Sequence, residues 1–138
     1  MNIFTSFASE DNLRLIIENN YLPIIILRNI RNSKCLNKYS DTCIHFRELS
    51  PSTELFQSYK NNEIDVEEYH YRYILELLDR NLNTQSIYKE FIFLNNLVSA
   101  KGLILLGYEE DPHLCHRSAL AEFLGRLWNC TILEWNGS

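Results

Sequence analysis

The chain has 138 residues, 46% of them hydrophobic, with 13 basic and 18 acidic side chains and a net charge of −5. Those values fit one domain, residues 1–138, with an ordinary buried core, and exclude a disordered chain. They also argue against broad electrostatic adhesion to nucleic acid or to an anionic membrane.

No apolar run approaches the roughly 18 residues of a membrane span, and MNIFTSFASEDN lacks the basic and long apolar regions of a signal peptide. The expectation is a cytoplasmic protein without a membrane partner. The four cysteines, Cys35, Cys43, Cys115 and Cys130, form no CxxC pair, so no disulfide framework is expected. Cys130, in WNCTILEW, reads as a buried small hydrophobe.

In chain order, NIFTSF is a β-prone run. SEDNLRLIIENN follows, with Ser9 as the candidate cap and Leu13, Ile16 and Ile17 on one helical face. LPIIILR is unbroken apolar sequence, the mark of a strand buried on both faces. The opening is thus β-α-β, the unit of a parallel sheet. Residues 29–49 read as a long polar connection, and Ser50-Pro51 as the start of a short helix to about Tyr59.

Val66, Tyr69, Tyr73 and Leu77 have helical spacing, and TQSIYKEFIFLNNLVSA is a further helix. KGLILLGY is a third buried strand, HLCHRSALAEFLGRLW the last helix and CTILEW a closing strand. The expected architecture is α/β: a three-layer fold with a mainly parallel sheet of about four strands and extra helices between strands two and three.

Ligands of open parallel sheets bind outside the carboxyl ends of the strands. GYEEDPHLCHRS occupies that place, between the third strand and the last helix. Unpaired N–H groups of a first helical turn favour an anion, and Arg117 supplies a forked cationic donor. Cys115 in such a field has a lowered thiol pKa. Structural readings stand beside these: Cys115 as packing under the helix start, His116 bonded to a strand-end carbonyl, Arg117 bridging to Glu109, Glu110 or Asp111.

The stretch EEDPHLCHRSALAEFL resembles the C-terminal signature of the YeaO-like uncharacterised family (domain of unknown function 488). The matching positions are Glu109, Asp111, Pro112, Cys115, His116, Arg117, Ser118, Ala121 and Glu122. RELSPSTELFQSY and EEYHYRYILEL, with Arg72 and Tyr73, are similar to its middle segments. Arg28 or Arg31 could match its arginine after the second strand. The acid that precedes that arginine in the family, and the proline that follows it, are absent from IIILRNIR. The resemblance implies an architecture and a site but no reaction.

The functional expectation is an anion-binding pocket at the Cys-His-Arg-Ser helix N-terminus that binds or processes a nucleotide-like small molecule. Thr5, Ser6, Arg28, His116, Arg117 and Ser118 would bind it and Tyr108 would stack on a base. If chemistry occurs, Cys115 is the candidate nucleophile and Glu109 or Asp111 the acid–base group; the residues leave open whether the chain is an enzyme. The runner-up reading is a metal-binding or regulatory protein. It would use His113, Cys115 and His116, with Cys43 and His45, but their spacing matches no standard zinc pattern, so no metal ligand is assigned. With no glycine-rich phosphate loop, GxGxxG or GxSxG, no cofactor is named, and homo-oligomerisation stays open.

Overall fold

The central strand Gly102–Gly107 is buried along its whole length, and the rest of the molecule is arranged around it. The computed structural model describes residues 1–30 and 33–137. Arg31, one of the two candidate matches for the family arginine, lies outside the described residues. In order, the elements are β1 (Asn2–Phe7), α1 (Glu10–Glu18), β2 (Leu22–Ile25), α2 (Lys34–Lys38), β3 (Ile44–His45), α3 (Thr53–Lys60), α4 (Val66–Asp79), α5 (Thr84–Leu97), β4 (Gly102–Gly107), α6 (His116–Trp128) and β5 (Leu133–Glu134). Short 3-10 turns lie at Ser40–Thr42, Arg47–Leu49 and Pro112–Leu114.

The five strands form one sheet in the order β3-β2-β4-β1-β5, and every pairing is parallel. Alternation along β4 divides the core. Leu103 and Leu105 face a cluster with Tyr69, Tyr73, Phe91 and Leu120 from α4, α5 and α6. Ile104 and Leu106 face Leu13, Ile16 and Leu36 from α1 and α2. The result is a three-layer α/β fold, as expected, with one more strand. That strand, β3, is only two residues long and lies in the polar connection, where neither alternation nor an apolar run marks it. The same connection holds the five-residue α2.

With only four glycines in the chain, the helices are closed by other residues. Asn20, Asn62, Asn81, Ser99 and Asn129 take φ between 52° and 64° just beyond α1, α3, α4, α5 and α6. Asparagine's short polar side chain tolerates this left-handed turn, which returns the chain to the sheet. At the other ends, Ser9, Ser33, Ser52, Asp65 and Asn83 each cap a helix with a side-chain oxygen. The cap of α3 is therefore Ser52, two residues later than the Ser50-Pro51 pair suggests. Cys130 is exposed, contrary to expectation, because it lies one residue past the Asn129 turn that reverses the chain at the molecular surface. None of the helices formed by the described residues is long and apolar enough to cross a membrane.

Candidate functional site

The crossover from β1 to β2 runs through α1 on one face of the sheet, while that from β4 to β5 runs through α6 on the other. Crossovers that leave neighbouring strands on opposite faces open a crevice at their carboxyl ends. Here Arg117 fills it. Its side chain is 0% exposed; Nε and Nη2 donate to the Glu134 carboxylate, with Nη2 2.8 Å from Oε1. Nη2 also donates to the Glu110 carbonyl at 2.9 Å, Nη1 donates to the Glu109 carbonyl, and the Phe7 ring lies 6.0 Å from the guanidinium carbon. Burial opposes the charge, but Glu134 and Cys115 outweigh it and hold the Arg117 pKa above its ordinary value. All three guanidinium nitrogens are spent inside the protein.

Thr5 and Ser6 belong to the same internal network. Thr5 Oγ1 donates to Glu134 Oε2 at 2.6 Å, and Ser6 Oγ accepts from Asn12 Nδ2 at 2.7 Å. Ser118 Oγ donates to the Cys115 carbonyl at 3.1 Å. Asp111 is exposed and caps the turn Pro112–Leu114 by accepting from the His113 N–H at 2.9 Å. α6 itself starts at His116, with Cys115 as a cap residue that makes no side-chain capping bond.

One strand further over, between the ends of β2 and β4, lies a cavity of about 330 Å³. Leu27 and Arg28 follow β2, Tyr108 follows β4, Ser52, Thr53, Phe56 and Lys60 come from the cap and body of α3, and His116 forms part of the wall. The structure thus brings together Arg28, Tyr108 and His116 of the expected set and leaves Thr5, Ser6, Arg117 and Ser118 outside. Arg28 Nε donates to the Pro51 carbonyl at 3.0 Å. Burial, then Arg80 and Arg47 nearby, lower its pKa, so the local field disfavours its cation. Lys60 Nζ lies 5.7 Å from the Tyr108 ring centre and 2.6 Å from Glu109 Oε1. Both Glu109 oxygens lack an aligned hydrogen bond, so this contact is a charge pair rather than a well-directed bond.

His116 joins the cavity to Cys115. Its Nε2 lies 2.8 Å from the Ile26 carbonyl, and a carbonyl only accepts, so Nε2 carries the proton. That leaves Nδ1, 3.8 Å from the fully buried Cys115 sulfur, as the nitrogen facing the thiol. Tyr73 packs edge-on against the imidazole at 5.2 Å. Burial works against the Cys115 thiolate, but the hydrogen bond and charge of His116, with the N–H and charge of Arg117, outweigh it and lower the thiol pKa to about 7. Cys43, by contrast, is pushed up to about 11 by burial. Among the described residues no group of three or more His, Cys, Asp or Glu is placed to hold a metal ion.

Reading the residues alone missed Lys60, Ser52 and Tyr69, which look like ordinary helix positions, and Glu134. For Glu134 a signal exists: it is the sole charge in the apolar run TILEW.

The fold and site define an all-parallel, three-layer α/β protein whose polar residues gather at the carboxyl edge of the sheet beside a Cys-His pair. More particularly, the chain belongs to the DUF488-N3a family, described as the active DUF488-N3 subclade, whose model matches residues 21–126. The resemblance carried by the Cys-His-Arg-Ser stretch is thereby borne out. Neither the curated proteins nor the solved structures contain a match.

Proposed function

We propose that this protein binds a small anionic, nucleotide-like ligand in the cavity between the ends of β2 and β4, beside the start of α6. The observation that carries the reading is that two cations, Arg28 and Lys60, and the exposed ring of Tyr108 line one cavity. Its size suits a small molecule. Arg80 and Arg47 lie near Arg28 and are only partly offset by Glu76 and Glu54, so an anion beside Arg28 relieves the repulsion on its cation. Tyr108 offers a face for a base, and Ser52 and Thr53 supply hydroxyls. In this reading Arg28 and Lys60 take the role that the residue types alone suggest for Arg117. The family's description as active favours processing of the ligand over simple storage.

Thermal-shift titrations with a nucleoside monophosphate, the parent nucleoside and inorganic phosphate test this on the wild type, Arg28→Ala and Lys60→Ala. The expected result is stabilisation of the wild type by the nucleotide above that by either fragment, with the gain lost in Arg28→Ala. Equal stabilisation of wild type and Arg28→Ala would overturn the assignment.

A further inference from the structure

Cys115 is not an isolated thiol. His116 Nδ1 faces its sulfur at 3.8 Å, and the Ile26 carbonyl fixes the imidazole from behind. Gly107 leaves the room the sulfur needs, since a Cβ there would stand 2.3 Å from Sγ. On α4, which packs against α6, is a polar group the fold does not use. Tyr69 is 0% exposed, and its hydroxyl has no hydrogen-bond partner. Tyr69 stands one turn of α4 before Tyr73, whose ring packs against His116. Burial keeps the Tyr69 phenol protonated, so it is a donor. The ring is stacked on Tyr59 at 4.2 Å and 5°, and the Tyr59 hydroxyl donates to the Leu114 carbonyl at 2.9 Å, one residue before the thiol. A buried donor held at this spot without an acceptor calls for an atom from outside the chain.

We infer that Cys115 and His116 form the nucleophilic pair of an acyl-transfer site, with the Tyr69 hydroxyl donating to the carbonyl oxygen of an ester or amide that carries an anionic group. The anionic part rests on the cavity reading above. An acyl centre is favoured over a phosphoryl centre because Arg117 is spent internally. With those nitrogens engaged, the neutral Tyr69 hydroxyl is the donor this reading uses, and it suits one developing oxyanion rather than several phosphoryl oxygens. In the first step the thiol proton passes to His116 Nδ1 and Sγ attacks the carbonyl carbon, while the carbonyl electron pair moves onto oxygen and is met by Tyr69. On collapse that pair returns, the bond to the leaving nitrogen or oxygen breaks, and the leaving group takes the proton from His116. Water then attacks the thioester carbonyl and gives a proton to Nδ1; the C–S bond breaks, the carboxylic acid leaves, and the sulfur takes the proton back from Nδ1 to restore the thiol. Because Cys115 is closed to solvent, the reaction requires the covering residues 108–114 to move aside. The Lys60–Glu109 pair and the Tyr59–Leu114 bond pin that loop to α3.

The test uses two reagents on the full chain. p-Nitrophenyl hemisuccinate forms an oxyanion as it acylates a thiol, whereas iodoacetamide alkylates one without forming any. Intact-mass and peptide analysis follow modification of Cys115 in the wild type, Tyr69→Phe, Arg28→Ala and Cys115→Ala. The expected result is acylation at Cys115 that Tyr69→Phe slows by on the order of 10², with alkylation by iodoacetamide unchanged. A purely structural Tyr69 would shift both reactions together, and that result, or no acylation of Cys115 in the wild type, overturns the inference. Comparison with neutral p-nitrophenyl butyrate separates the two readings. If the hemisuccinate shows no advantage that Arg28→Ala removes, yet the Tyr69 effect persists, the anionic requirement falls and the acyl site stands.

Discussion

The buried guanidinium of Arg117 is held by the carboxylate of Glu134, Nη2 to Oε1 at 2.8 Å, and so ties the first turn of α6 to the short edge strand β5. Glu134 is 35% exposed, so it supplies the counter-charge from the solvent side of a cation that has no other route to water. Replacing Glu134 by Gln keeps the shape and removes that charge. The expected loss is about 2–3 kcal/mol in urea denaturation, below the figure for a fully buried pair because Glu134 is partly solvated. Arg117→Lys is expected to be at least as damaging, because an ammonium cannot reach Glu134 and both loop carbonyls together.

Gly107 and Cys115 touch across the mouth of the site. A Cβ at position 107 would lie 2.3 Å from the sulfur and 3.4 Å from both Cβ and Cδ of the buried Arg117. Gly107→Ala is therefore expected to cost about 1–3 kcal/mol from overpacking. It should also displace the thiol, which iodoacetamide labelling of Cys115 against the wild type reads directly. Gly107→Ala combined with Cys115→Ala should recover part of the stability.

Glu76 and Ser52 form the second tie at this edge. The carboxylate accepts from the Ser52 N–H at 2.8 Å and from its hydroxyl, while the Ser52 oxygen caps α3 by accepting from the Leu55 N–H at 3.1 Å. Ser52→Ala removes the cap and the hydroxyl's donation to Glu76 together. A loss of about 1–2 kcal/mol is expected, visible as a lower denaturation midpoint with an unchanged slope.

The Cys115 thiol titrates lower in the folded chain, at about 7, than an ordinary thiol does. For an acid whose pKa is lowered by folding, the stabilisation is present above the unfolded value and is lost as pH falls through the folded one. Its share of stability should therefore rise from pH 7 to about 9, by on the order of 2 kcal/mol. His116, Arg117, Tyr59, Tyr69, Tyr73, His70 and Glu109 all surround the thiol. The comparison with Cys115→Ala across that pH range isolates the contribution. A difference that does not change with pH would show that the thiol stays neutral.

Four strands, five helices and the Ser9 cap were legible because they rest on local rules: apolar runs for buried strands, helical spacing of large side chains, and side-chain oxygens at helix starts. The Cys-His-Arg-Ser stretch was legible as a family signature, and its place between a buried strand and a helix followed from the apolar run before it. β3 and α2 were not, since two and five residues carry no period and exist through pairing with β2 and packing on α1. Nor was the division of labour among the cations. Arg28, Lys60 and Arg117 are all cations in the sequence, and only three-dimensional placement shows which of them is consumed internally. Arg117 meets Glu134, 17 residues away, and is consumed. Arg28 and Lys60 converge on one cavity from β2 and α3. Charge and hydrogen-bonding capacity are properties of the sequence, but whether a donor is spent or free depends on the acceptors that the fold brings to it.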